Sequence, residues 1–207
     1  MKPIVLLVHG FNVFNPEDTV GRLRTFFEAE GCRVIMVDYG HTGIIETRFK
    51  NPKIAKRIVG ITSNIPVATP VIVVGHSNGC AIIHMASQFA AARIDRIVYI
   101  NPALAKELSP GIRTGACHVW HSPSDKPVKW AKLLSRFIPT KWFNARPWGE
   151  MGATGYTGHD TSVTNFNKET DFQVSSKTHS DVFNWDLLPV FGDLIVANIL
   201  NEGVKGD

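Results

Sequence analysis

Ser77 is the side chain best placed for chemistry in this chain. It sits in GHSNG, preceded by the apolar β-formers Val71 to Val74 and followed by the helical run CAIIHMASQFAA. Strand, sharp turn and helix is the context a nucleophile elbow requires, and all three parts are readable here. Such a turn holds its serine in a strained backbone and packs the residues two before and two after it too tightly for side chains. Gly75 and Gly79 supply that space. The turn would leave the hydroxyl at the C-terminal edge of a sheet and at a helix N-terminus, where free N–H groups and the helix dipole favour developing negative charge. The chemistry that follows is nucleophilic attack on a carbonyl, which needs a base for the Ser77 proton and donors for the oxyanion. The plainer reading is a glycine-flanked serine in an ordinary strand-to-helix loop.

The elements that must position Ser77 are written in the hydropathy pattern. Near-continuous apolar runs at 3–8, 33–38, 70–75, 95–100 and 116–121 read as strands buried on both faces. Helical patterns fall at 17–30, 51–60, 78–92 and 181–201, the last with Pro189 and Gly192 placed to kink or divide it. Alternation of the two predicts an α/β fold, a mostly parallel central sheet flanked by helices on both faces. The stretch 126–170 differs: it is rich in Trp, Phe, Pro and Gly and lacks clear periodicity.

Taken together the motifs resemble the α/β-hydrolase superfamily, in particular a small serine esterase or lipase-like member. The resemblance rests on HG after the first strand, the GHSNG turn, the loop SPSDKPV, and a late histidine before the last helix. The chain starts at what would be that family's third strand, which implies a minimal α/β-hydrolase fold, one domain over 1–207 with a short aromatic-rich insertion at about 126–160. The order Ser, Asp, His is that family's order. The resemblance implies Asp125, in SPSDKPV, as the carboxylate that holds the imidazole tautomer, and His179, in KTHSDVF, as the base. Asp125 could instead be a turn aspartate and His179 a helix-capping histidine beside Ser180 and Asp181. A rival pair, His159 and Asp160, lies in TGYTGHDTSV. The backbone amides of Phe11, just after HG, and of Asn78, just after the serine, are the candidate oxyanion donors. His9 is expected to shape that loop, and Asn12 to stabilise its turn.

Between acid and base, Trp130, Phe137, Trp142 and Phe143 are candidates for an apolar acyl pocket, with ordinary packing on the sheet as the alternative for each. They point to a small-molecule ester with a small or medium apolar acyl group. A thioesterase, an amidase or peptidase, and a non-catalytic binding protein on the same scaffold remain alternatives. No cofactor and no metal are expected: there is no HExxH, no CxxC and no zinc-type spacing, and the glycines of GEMGATGYTG follow no strand.

Bulk properties narrow the class further. With 207 residues the chain can bury a full core, and a net charge of +4 is a mild excess that does not suggest a nucleic-acid partner. Lys50, Lys53, Lys56 and Arg57 read as a solvated helix face. Cys32, Cys80 and Cys117 are odd in number and embedded in apolar sequence, which suits buried free thiols in a reducing compartment. With no signal peptide and no transmembrane segment in view, a soluble cytoplasmic protein is expected.

Overall fold

The computed structural model describes residues 1–43, 46–111, 114–125, 148–173 and 178–201. Within them β1 (Ile4–Val8), β2 (Arg33–Val37), β3 (Val71–His76), β4 (Arg96–Ile100), β5 (Ala116–His121) and β6 (Val163–Asn167) form one sheet in the order β2-β1-β3-β4-β5-β6. Every neighbouring pair is parallel. From β1 the chain moves outward to β2, then crosses back over β1 to β3 and proceeds the other way. The connections therefore diverge between the C-terminal ends of β1 and β3, and that is where an open parallel sheet leaves a crevice.

The apolar runs hide a period of two, because both faces of the sheet are covered. Leu6, Val8, Val73, Ile97, Tyr99 and Val119 pack with α2 (Thr47–Ser63) and α3 (Asn78–Ser87) on one side. Val5, Leu7, Ile72, Val74, Val98, Ile100 and Trp120 pack on the other with α1 (Arg24–Ala29) and the C-terminal helix. Successive strand side chains point to opposite faces, so a strand buried twice reads as continuous hydrophobicity.

Several predicted elements take a different form. The 17–30 segment is two 3-10 turns, Pro16–Asp18 and Val20–Leu23, leading into the short α1. Residues 181–201 divide into a 3-10 turn, Asp181–Phe183, and a helix, Leu188–Asn201. The break comes before Pro189, which falls at the start of the helix, where a missing N–H leaves no hydrogen bond unmade. Gly192 lies deeper in that helix, where a Cβ would come within 2.7 Å of the Phe26 ring. Strand β6 was not foreseen: VTNFN is an edge strand, only half-buried, so it carries no apolar run to read. The glycine-rich stretch holds a one-turn helix, α4 (Met151–Thr154). Gly149 and Gly152 there press against backbone, with a Cβ at 2.4 Å from Ala105 Cα and 2.7 Å from the Asn101 carbonyl carbon. With α4 so numbered, the C-terminal helix Leu188–Asn201 is α5.

Lys53, Lys56 and Arg57 are exposed and Lys50 pairs with Glu46 at 2.8 Å. The three cysteines are buried and free. Among the described residues no helix is long and apolar enough to cross a membrane, and no group of His, Cys, Asp and Glu is arranged to hold a metal ion.

Candidate active site

Ser77 links β3 to α3 with φ 56° and ψ −120°. A non-glycine residue held there costs on the order of 1–3 kcal/mol, so the surroundings must impose it. They do so through the flanking glycines. A Cβ on Gly75 would sit 2.5 Å from Ile83 Cδ1, and one on Gly79 would sit 2.3 Å from the Val8 carbonyl oxygen and 2.6 Å from that of His9. The Ser77 N–H donates to the Ile100 carbonyl at 3.1 Å, and its own carbonyl accepts from Cys80 and Ala103. Ser77 is thereby fixed to β4 behind it and to the end of β1 beside it.

Asp125 and His179, 54 residues apart in sequence, meet at 2.7 Å between Oδ2 and Nδ1. The Asp125 side chain is fully buried, at the end of the loop leaving β5, and its N–H donates to the Ser122 carbonyl. His179 comes from the loop before the 3-10 turn, where both the N–H and the hydroxyl of Thr178 donate to Asp181. Its main-chain carbonyl accepts from Asn101 Nδ2 and from His76 Nε2, the latter at 3.2 Å. The His76 and His179 rings lie 4.8 Å apart between centroids. His179 is therefore docked on the residue that immediately precedes Ser77. Burial pushes His76 well below the usual histidine range, with His179 a smaller influence, so His76 is a neutral donor to that carbonyl.

The loop after β1 closes the third side. Gly10 lies so near the turn that a Cβ there would be 3.1 Å from Ser77 Cβ, which brings the Phe11 amide to the same rim. Asn78 opens α3, so its N–H belongs to the first turn, whose donors have no intrahelical partner. His9 is fully buried; its Nδ1 meets the Gly10 carbonyl at 2.8 Å and its ring stacks on Tyr39 at 3.8 Å. The Tyr39 hydroxyl lies 2.6 Å from the His9 carbonyl and 2.9 Å from that of Gly10, its one proton shared between them. Burial lowers the His9 pKa despite the nearby Asp38, so this ring is a structural hydrogen-bonding piece. Asn12, at φ 56°, turns the chain and meets His41 Nε2 through its side chain at 2.9 Å. Phe11 stacks on Trp148 with centroids 6.1 Å apart.

The rival pair is remote. Residues 159 and 160 precede β6, which places them at the N-terminal edge of the sheet, opposite Ser77 and Asp125. Asp160 there accepts from the N–H and hydroxyl of Ser162 in its own turn. Trp130, Phe137, Trp142 and Phe143 lie outside the described residues.

Several partners of the site escaped the sequence reading. Asn51 exchanges two amide hydrogen bonds with the Asn78 side chain, at 2.8 and 3.1 Å, both groups buried. Its signal was available: Asn51 falls on the same face of α2 as Ile54, Ala55 and Ile58, an asparagine on an apolar stripe. Tyr39 had no such signal. Lys168, fully buried, donates through Nζ to Asn101 Oδ1; burial lowers its pKa to about 8, against Asp125, Glu169 and Asp181, which raise it. A lysine after a half-polar segment reads as a solvated residue, and nothing local marks it otherwise.

Among curated protein sequences none matches this chain significantly. Solved structures share its fold. A methylesterase from Arabidopsis superposes with a TM-score of 0.56 at 13% identity, covering 95% of this chain and 99% of that one. Est1E from Butyrivibrio proteoclasticus, seen with ferulic acid bound, gives 0.56 at 14% identity over 95% of this chain and 88% of its own. Polyneuridine aldehyde esterase gives 0.55 at 13% identity over 96% and 99%. At such identities the likeness is one of fold. The sequence profile of the alpha/beta hydrolase family, however, matches residues 5–197, and the chain belongs to that family.

Proposed function

We propose that this protein is a serine hydrolase that cleaves carboxylic esters of small or medium apolar acyl groups. The observation that carries the reading is the 2.7 Å Asp125–His179 contact, docked through His76 and Asn101 beside a serine held at φ 56°. His179 Nδ1–H donates to the buried Asp125 carboxylate, which leaves Nε2 as the basic nitrogen for the Ser77 hydroxyl. Attack on the ester carbonyl gives a tetrahedral oxyanion, received by the amides of Phe11 and Asn78. Removing one such donor typically costs about 3–4 kcal/mol of barrier stabilisation. The alcohol leaves with the proton that His179 returns, and a water activated by the same ring releases the acid from Ser77. No residue set for a metal or cofactor is needed in this sequence of steps.

An apolar acyl group suits the Phe11–Trp148 stack at the rim. We further propose that the whole chain acts as one catalytic domain. Membership of a hydrolase family and the esterase folds of its neighbours support the reaction class.

Two measurements test the reading. A fluorophosphonate probe should label the parent protein and fail to label Ser77→Ala; labelling that survives the substitution moves the nucleophile elsewhere. Matched ester, thioester and amide substrates should then be ranked by kcat/KM, with the ester first. A thioester or amide in the lead replaces the substrate class.

A further inference from the structure

Two consecutive charged residues leave β6 and reach opposite halves of the site. Lys168 Nζ donates to Asn101 Oδ1, and Asn101 Nδ2 donates to the His179 carbonyl. Glu169 Oε1 accepts from the Ser122 hydroxyl and, at 3.0 Å, from the Ser124 N–H. Ser122 in turn accepts from the Asp125 N–H. The backbone secures the pair, because the Lys168 N–H donates to the His121 carbonyl at the end of β5.

We propose that Lys168 and Glu169 are positioning residues, Lys168 placing His179 through Asn101 and Glu169 placing Asp125 through the Ser122–Ser124 loop. This rests on the hydrolase reading above.

The chemistry of Asn101 makes Lys168 the deciding partner. A carboxamide can present its oxygen or its nitrogen to the His179 carbonyl, and only the nitrogen donates. An ammonium can only donate, so Lys168 commands the oxygen and turns the NH2 toward His179. Asn101 is fully buried at φ 45° with its N–H on the Trp120 carbonyl, so its backbone is already fixed and the side-chain orientation is what Lys168 sets. Placing an ammonium beyond the reach of solvent is costly and needs compensating charge. Asp125, Glu169 and Asp181 supply it, while the neutral rings of His76 and His121 lie on the same side. The aromatic face of Phe191 from α5 completes the enclosure, 5.8 Å from Nζ. A lysine needed only for packing would have no use for a buried asparagine whose other end holds a different loop.

The test uses the full chain with Lys168→Met, which keeps length and removes the donors, Asn101→Ala, the double variant of these two, and Glu169→Ala. In Lys168→Met and in Asn101→Ala, kcat for ester hydrolysis is expected to fall on the order of 10–100-fold with KM changed less than about threefold. Because both act on the same carbonyl, the double variant should be no slower than the slower single variant, a non-additivity that independent packing defects would not give. The parent kcat should also bend downward above about pH 8, where Lys168 loses its charge, and Lys168→Met should lack that bend. Glu169→Ala, which removes the acceptor of the Ser122 hydroxyl and the Ser124 N–H, should lower kcat on the order of 10-fold with KM changed less than about threefold, and parent-like kcat in the folded variant overturns the Glu169 half of the proposal. Parent-like kcat in a folded Lys168→Met overturns the proposal, as do additive losses. If Lys168→Met does not fold, Asn101→Ala decides by the same criterion, and failure of both to fold assigns the pair a purely structural part. Labelling of Ser77 by the fluorophosphonate in the parent separates these outcomes from failure of the hydrolase reading itself.

Discussion

Gly79→Ala tests how closely the Ser77 turn must approach β1. The added methyl would sit 2.3 Å from the Val8 carbonyl oxygen and 2.6 Å from that of His9, where ordinary contact begins at 3.4 Å. Both obstacles are backbone, so the start of α3 and the end of β1 must part by about 1 Å. Alanine in a helix gains about 1 kcal/mol over glycine, but overpacking of this kind costs about 1–3 kcal/mol, and the clash prevails. For a chain of this size each kcal/mol lowers Tm by about 2–4 °C. The functional loss should be larger, because Ser77 moves relative to the Phe11 amide, and a 1 Å displacement costs on the order of 10²-fold in turnover.

Gly75→Ala supplies the control. Its worst contact is 2.5 Å to Ile83 Cδ1, the free end of a side chain, while backbone atoms begin at 3.0 Å. Ile83→Val deletes that carbon at a cost of about 0.5–1.5 kcal/mol and should restore much of the activity lost in Gly75→Ala. It should do nothing for Gly79→Ala. Thermal melts and ester kinetics on the two singles and two doubles read this directly. Parent-like kcat/KM in Gly79→Ala, or its rescue by Ile83→Val, would refute the steric account of the turn.

Other outcomes follow from the same geometry. Asp125→Asn should keep the melting temperature and lower turnover by about 10⁴-fold, because an amide at 2.7 Å favours the wrong imidazole tautomer; near-parent rates would remove Asp125 from its proposed role. Asn51→Leu leaves the buried Asn78 amide without its reciprocal partner and should cost about 1–3 kcal/mol in a denaturant titration, and an unchanged midpoint would contradict this. Burial holds the His84 pKa down to about 4 and that of His76 well below the usual histidine range. Between pH 6.5 and 4 the unfolded chain therefore binds protons that the native state refuses, so stability falls as pH falls through that window. His84→Leu should show a shallower fall than the parent, and an equal slope in the two proteins would rule His84 out as a contributor.

Much of this protein was determined by its sequence alone. Five strands and the Ser77 turn could be read because burial on both faces makes parallel strands continuously apolar, and because only glycine fits beside a turn packed against backbone. The sixth strand, Val163–Asn167, was not readable. An edge strand with half its side chains in solvent needs no apolar pattern, and its pairing with β5 exists only once the sheet is assembled. The same division runs through the site. Ser77 carries a local signature, whereas Asp125 and His179 were nominated by resemblance and become partners only through loops that leave β5 and precede α5. Tertiary structure also moved His159 and Asp160 out of contention, since a parallel strand puts what precedes it at the opposite edge. It alone made Lys168 interior. Whether a lysine is solvated or enclosed depends on what packs over it, and the Asn101 amide that receives its ammonium and the Phe191 ring beside it come from distant parts of the chain.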